Sequence, residues 1–258
     1  MKLILFIFLA IEICTANIVT IGSCITQIVC ELGRCSKIVA TDKQSQSELG
    51  QPVTNIGYWR SINVETILQS NPTLILASES AGPPRSIQVF QSTSNPIVLI
   101  KKTENWDDLM SNISLIASKL NNNNKGNHLI ETLSKRLSKL NYKKYQDLRV
   151  LGVYSPMGQR IFANSKSSAA SFVIEYIGAT NLSEFDSPKI ISKEIALELN
   201  PDALLMTERT AKWLENNKFE SINLLLKKPN FKRIKVSDNA LNEICIKTIE
   251  SLENLYYE

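Results

Sequence analysis

The sequence has one histidine, nine glycines and, after its first residues, no long apolar run. A lone imidazole, His128, cannot assemble a zinc or manganese site from several histidines. It falls in a polar helical pattern, as a solvated helix residue would. The few glycines form no phosphate-binding loop, and there is no GxSxG nucleophile elbow. His128 falls in an expected connecting helix, a poor place for a catalytic triad, and together these features argue against an exported α/β enzyme. The formal net charge is only +4, and the lysines are spread along the chain in small clusters such as Lys143-Lys144 and Lys227-Lys228. A basic stripe interleaved with aromatics, which nucleic-acid binding needs, is missing. No stretch after the start approaches the roughly 20 apolar residues of a membrane-spanning helix.

What is present begins with MKLILFIFLAIEICTA, one lysine, then an apolar run ending in small residues, the layout of a secretory signal peptide. Residues 1–16 are expected to be removed after Ala16, leaving a soluble periplasmic chain. Cys14 follows Ile11, Glu12 and Ile13 instead of the small residues of a lipoprotein signal, so lipidation is not expected. Loss of Lys2 together with Glu12 leaves the net charge unchanged. About 240 residues remain, enough for two lobes with cores of ordinary size. Cys24, Cys30, Cys35 and Cys245 stay in the mature chain without a CxxC pair; a bridge such as Cys30 to Cys35 and buried free thiols are both open.

Short β-branched runs alternate with helical patterns, the grammar of βαβ units. Strands are expected at Ile18 to Ile21, Lys37 to Ala40, Leu74 to Ala77 and Ile97 to Ile100, with a helix near Ile25 to Leu32 closed by Gly33. Two helices follow, one with Leu109, Ile113, Ile116 and Leu120 on a face and one with Leu129, Leu133, Leu137 and Leu140, broken apart at Asn121 to Asn124. Then α/β grammar resumes with strands at Val150 to Val153, Ala203 to Met206 and Ile234 to Val236, and a terminal helix. The expected organisation is an N-terminal α/β lobe at 17–120, a connecting helix at 121–146 and a C-terminal α/β lobe at 147–258.

The halves also match each other. NVETILQSNPTLILAS (63–78) aligns without gaps on SKEIALELNPDALLMT (192–207) at an offset of 129, pairing Glu65 with Glu194, Leu68 with Leu197 and Asn71-Pro72 with Asn200-Pro201. Each copy starts at a capping residue, places its glutamate in the first helical turn and stops at Asn-Pro before an apolar strand. Either common rules built two similar helix-strand units, or a lobe was duplicated and carries matched carboxylates.

Four segments, IVTIGSCITQIVCELG, NIGYWRSINVETIL, LILASESAGPP and ANSKSSAASFVIEYIGATNL, resemble the periplasmic substrate-binding proteins of haem ABC importers, relatives of the cobalamin and siderophore binders. GYWR and the ASESAGPP loop are the specific part, and the likeness runs from about Asn17 to the C-terminus. The resemblance implies two Rossmann-like α/β lobes joined by a single long connecting helix, with the ligand in the cleft between them. It implies Tyr58 as axial ligand of haem iron, assisted by Arg60. A phenolate is a hard anionic ligand suited to ferric iron, and a nearby guanidinium favours the anion of a phenol whose free pKa is about 10. Trp59 and Tyr58 offer aromatic surface to a flat macrocycle, and Glu79 borders the cleft, as a ligand contact or a turn cap.

Some family members place a histidine soon after the first strand of the second lobe. Here the stretch is GVYSPMGQ, with Pro156 near that position, and Tyr154 and Met157 as neighbours able to approach the other haem face or to pack. The resemblance further implies that Glu65 and Glu194 dock on arginines of a permease dimer with its ATPase. It also implies a monomer, loaded with haem from an outer-membrane receptor. The same fold carrying a ferric siderophore or a corrinoid is the alternative cargo.

Overall fold

The computed structural model describes residues 16–92, 97–140, 145–155, 160–217, 219–238, 240–241 and 243–257. Apart from Ala16, the expected signal peptide lies outside the described residues, as do Lys143, Lys144, Pro156 and Met157.

The first half runs β1 (Ile18–Ile21), α1 (Ser23–Glu31), β2 (Ile38–Thr41), β3 (Thr54–Asn55), β4 (Gly57–Tyr58), β5 (Ser61–Ile62), α2 (Val64–Gln69), β6 (Leu74–Ser78), α3 (Pro84–Gln91) and β7 (Ile97–Ile100). Two helices follow, α4 (Trp106–Lys119) and α5 (Asn123–Ser138). The second half runs β8 (Arg149–Tyr154), β9 (Phe162–Ala163), α6 (Ala169–Tyr176), β10 (Thr180–Asn181), β11 (Lys189–Ile190), α7 (Lys193–Leu199), β12 (Ala203–Thr207), α8 (Glu208–Asn216), α9 (Glu220–Leu226), β13 (Lys232–Val236) and α10 (Ile246–Tyr257). The second strand starts one residue later than expected, because Cys35–Lys37 form a 3-10 turn pinned by a Cys30–Cys35 disulfide.

The first sheet has the order β3-β2-β1-β6-β7, with every pairing parallel. In the second, β10 and β12 flank β8 and β13 follows β12, all parallel, while β9 and β11 add antiparallel pairs. The series β2-β1-β6-β7 and β10-β8-β12-β13 are therefore the same arrangement twice. β6 maps onto β12 residue for residue at the offset of 129 found in the sequence. The match extends to backbone detail. Asn71 (φ 48°) and Asn200 (φ 44°) both take the left-handed conformation that ends a helix, each directly before its proline.

A parallel sheet is apolar on both faces, and successive residues supply opposite ones. In the first sheet Ile18 and Leu76 face one core, while Val19, Ile75 and Ala77 face the other. In the second, Val150 and Leu205 point one way and Leu151, Leu204 and Met206 the other. The expected connecting helix is α5, but it does not cross alone. Trp106 at the start of α4 touches the cores of both halves. In α10, Ile246 and Ile249 enter the first core, and Leu252 and Leu255 the second.

All four cysteines among the described residues are bridged, Cys30 to Cys35 and Cys24 to Cys245, so the free-thiol alternative does not hold. The second bridge joins residues 221 apart in sequence, across the two halves.

Arg136 of α5 grips Glu253 of α10 with two hydrogen bonds, Nε to Oε1 at 2.8 Å and Nη2 to Oε2 at 2.6 Å. The bond from Arg136 holds the Glu253 carboxyl below the ordinary glutamate range. A depressed folded pKa contributes stability above the unfolded value of about 4.3, and that contribution fades as pH falls through the folded value. Glu253→Gln is expected to lower the melting temperature by about 2–4 °C at pH 7. Thermal melts of variant and wild type should converge near pH 3; a constant gap across that range would contradict the assignment.

Candidate ligand cleft

Open α/β sheets present ligands at the carboxyl ends of their strands, and the residues singled out in the sequence gather at two such ends. Tyr58, Trp59 and Arg60 form the tip of the β4–β5 hairpin, where Tyr58 faces Ser61 and Gly57 faces Ile62. The loop leaving β6 holds this hairpin in place. Gly82 N donates to Trp59 O at 3.0 Å, and Ile62 N donates to Gly82 O at 3.0 Å. The two segments that carried the specific resemblance are therefore one hydrogen-bonded unit. Gly57 completes it with φ 95°, its amide donating to Asn55 Oδ1 at 2.8 Å.

On this support Trp59 is half-buried against the core of the first sheet, whereas Tyr58 keeps 46% of its surface exposed. Their rings lie 5.7 Å apart and tilted. The Arg60 guanidinium sits 4.3 Å from the Trp59 ring centre, a cation–π contact that holds the charge beside the hairpin. The tip thus offers an oxygen donor, an indole and a fixed positive charge.

Glu79 does not sit idle in the loop. Its Oε1 accepts from Lys102 N at 3.0 Å, and its own amide donates to Ile100 O at 2.9 Å. It ties the loop after β6 to the segment leaving β7.

In the second half Tyr154 ends β8, cross-strand from Phe162, with the rings stacked 5.6 Å apart. Burial pushes the Tyr154 phenol up from its ordinary pKa, so it stays neutral at physiological pH. Phe162 was not singled out in the sequence. Its only signal is a two-residue strand, too short for a periodicity to show. Beside it, Ser155 Oγ and Asn164 Oδ1 are buried with no hydrogen-bond partner among the described residues. The side chain of Met157 lies outside the described residues.

Glu65 and Glu194 are both exposed in the first turns of α2 and α7. The helices are capped alike, Thr66 N donating to Asn63 Oδ1 at 3.0 Å and Ile195 N to Ser192 Oγ at 3.3 Å. A hydrogen bond from Ser192 holds the Glu194 carboxyl below the usual range. Lys193, its neighbour, is taken by Glu220 at 2.7 Å. His128 is exposed on α5, and no group of three or more His, Cys, Asp or Glu able to hold a metal ion occurs among the described residues. No helix among them is long and apolar enough to cross a membrane.

Two α/β halves share one topology, and each carries aromatic residues near the carboxyl ends of its strands, Tyr58 and Trp59 on the hairpin after β3 and Tyr154 at the end of β8. A family model described as periplasmic binding protein matches residues 18–235, and the chain belongs to that family. It is 23% identical over 206 residues, 75% of this chain and 74% of the other, to a vitamin B12-binding protein of Pectobacterium carotovorum subsp. carotovorum. Among solved structures it is similar to the apo periplasmic haem-binding protein of Roseiflexus sp. RS-1, with a TM-score of 0.81, 23% identity and coverage of 94% and 97% of the two chains. It is likewise similar to the periplasmic haem-binding protein HutB of Vibrio cholerae, with a TM-score of 0.81, 22% identity and coverage of 94% and 98%. Identities this low speak for the shared fold.

A Cβ at Gly57 would meet Ser61 O at 3.0 Å on a backbone with φ 95°. Gly57→Ala is expected to loosen the hairpin locally. Hydrogen exchange should speed up at the Ile62 and Gly82 amides and stay unchanged in β6; unaltered exchange at both amides would refute this account of the hairpin.

Proposed function

We propose that this chain is the substrate-binding component of an ABC importer, acting in the periplasm, and that it captures haem through Tyr58. The observation that carries the reading is the exposed phenol on a hairpin braced by Gly82, with Arg60 held beside it on Trp59. Ferric iron of haem accepts a hard anionic oxygen in its axial position. Tyr58 supplies that oxygen, and the nearby guanidinium favours its deprotonation when iron binds. Trp59 on one lobe and the Tyr154–Phe162 stack on the other supply flat apolar surface for a macrocycle. With no imidazole near the end of β8, Tyr58 is the one protein ligand the reading requires.

A corrinoid is the second reading, favoured by the sequence relative named for vitamin B12. The two cargoes separate on Tyr58. Haemin titrated into the mature protein should give a tyrosinate-type visible spectrum that Tyr58→Phe abolishes, while Arg60→Ala weakens binding about tenfold. An unchanged haemin spectrum with tight, Tyr58-independent uptake of cyanocobalamin would reverse the assignment.

Delivery to the permease dimer and its ATPase is assigned to Glu65 and Glu194, one on each lobe at equivalent positions. Exposed carboxylates orient and steer more than they tighten. Glu65→Gln with Glu194→Gln should slow association with the permease–ATPase complex in nanodiscs and flatten its salt dependence, with haemin binding unaltered. Association that keeps its rate and salt response would remove these residues from the interface.

A further inference from the structure

The C-terminal helix is the element that the proposed function leaves unexplained. It follows β13 of the second sheet, and Ala240, Leu241 and Ile244 on the way to it lie in the second core. The next residue is bonded to the other half of the molecule, Cys245 to Cys24 of α1. Around this bridge the contacts multiply. Lys247 Nζ meets Glu48 Oε2 at 2.7 Å, and the Glu48 side chain is only 2% exposed and also accepts from Ser23 Oγ at 2.9 Å. Lys247 N donates to Gln27 Oε1 at 3.2 Å, and Thr103 N to Glu243 Oε1 at 3.0 Å. The far end of α10 is fixed to the second half by Leu252, Leu255 and the Ser251–Ser237 hydroxyl pair at 2.9 Å.

We propose that the Cys24–Cys245 bridge and the Glu48–Lys247 pair make α10 a positioning strut that sets the aperture of the cleft and so the rate at which ligand leaves it. The chain passes from the first half to the second once, between α5, whose Leu133 lies in the first core, and β8, whose Val150 lies in the second. A single passage leaves the halves able to hinge. A second crossing, fixed covalently to α1 at one end and packed into the second core at the other, has to deform whenever the halves separate. The ion pair at the same place, its Glu48 side chain 2% exposed and its Lys247 side chain 35%, resists that deformation, because parting it would leave a nearly buried carboxylate without its cation. The polar and covalent contacts with the first half gather at residues 243–247, where the strut meets it.

The claim about aperture stands without any ligand; the claim about release rests on the haem reading. A bridge closing a loop this long also restricts the unfolded chain, so a lowered melting temperature alone would not discriminate. The test reads separation of the halves directly. Spin labels on ketone-bearing unnatural residues at the exposed positions Gln91 and Lys212 report the distance between halves by pulsed electron resonance. The labelled parent should give one narrow distribution. Cys24→Ala with Cys245→Ala should broaden it toward longer distances, and haemin, used as the probe, should leave at least about threefold faster. Cys30→Ala with Cys35→Ala, which cuts the bridge inside the first half, should change neither. Should the cross-half double variant fail to fold, Lys247→Met keeps the bridge and removes the ion pair, and the same broadening is expected of it. A distribution superimposable on the parent in whichever of these variants folds would overturn the strut. Broadening without any haemin spectrum would keep the strut and sink the haem reading.

Discussion

A parallel sheet has to be covered on both faces, and that requirement shapes most of this molecule. The first sheet has α2 and α3 near it in sequence, enough for one face, where Ile67, Ile87 and Phe90 are buried. For the other face α1 does not suffice. Ile113, Ile116 and Ala117 come from α4, Leu133 from α5, and Ile246 and Ile249 from the far end of the chain. Burial of each large apolar side chain is worth about 1.5–3 kcal/mol, so the first half recruits distant helices because its own sequence is too short in apolar helix to close its core. Coupling between the halves follows from that shortage. The same residues that complete one core are tethered to the other.

This explains why the β4–β5 hairpin can be slight. The β4–β5 hairpin is four paired residues, unstable by itself. It holds its shape because its partner is the loop leaving β6, a strand buried on both faces between β1 and β7. Rigidity is transmitted from the sheet through Gly82 to Trp59 and Ile62, and Tyr58 can then stay exposed without being loose. Glu79 performs the corresponding service on the other side of that loop, by holding the Lys102 amide where the chain starts to leave the first half.

Much of the fold could be read in the sequence wherever the signal was local. The strands around Ile18, Leu74, Val150 and Ala203 were marked by β-branched runs, and the helix ends by Asn-Pro. The repeat linking Glu65 to Glu194 was legible because a capped helix feeding a buried strand has a fixed residue order. What escaped was partner choice at a distance. Nothing near Cys245 indicates that its partner is Cys24 rather than Cys30 or Cys35, since spacing determines none of the pairings. Membership of Ile246 and Ile249 in the first core was equally hidden, because their helical period says which face is apolar and not which sheet it covers. Phe162 became a neighbour of Tyr154 only through a strand register that two residues cannot announce, and Glu79 found its partner in a backbone amide, which has no sequence identity at all.

A capture protein of the proposed kind must hold its cargo and also let it go, and this arrangement separates the two demands. Coordination through one phenolate is directional and depends on the oxidation state and protonation of a single bond. It can be undone without rebuilding a shell of several ligands. Apolar surface at the Trp59 and Tyr154–Phe162 sites adds affinity in proportion to the area covered, and that area shrinks as the halves part. On the proposed function the energy of holding is thus coupled to the separation of the halves, whereas orientation on a partner would rest on the exposed carboxylates of α2 and α7, helices capped by Asn63 and Ser192. Lys193 is held by Glu220, leaving Glu194 with its Ser192 hydroxyl and a charge that an incoming cation can meet. On that reading docking proceeds with cargo in place, and release follows from the work the partner does in moving the halves apart.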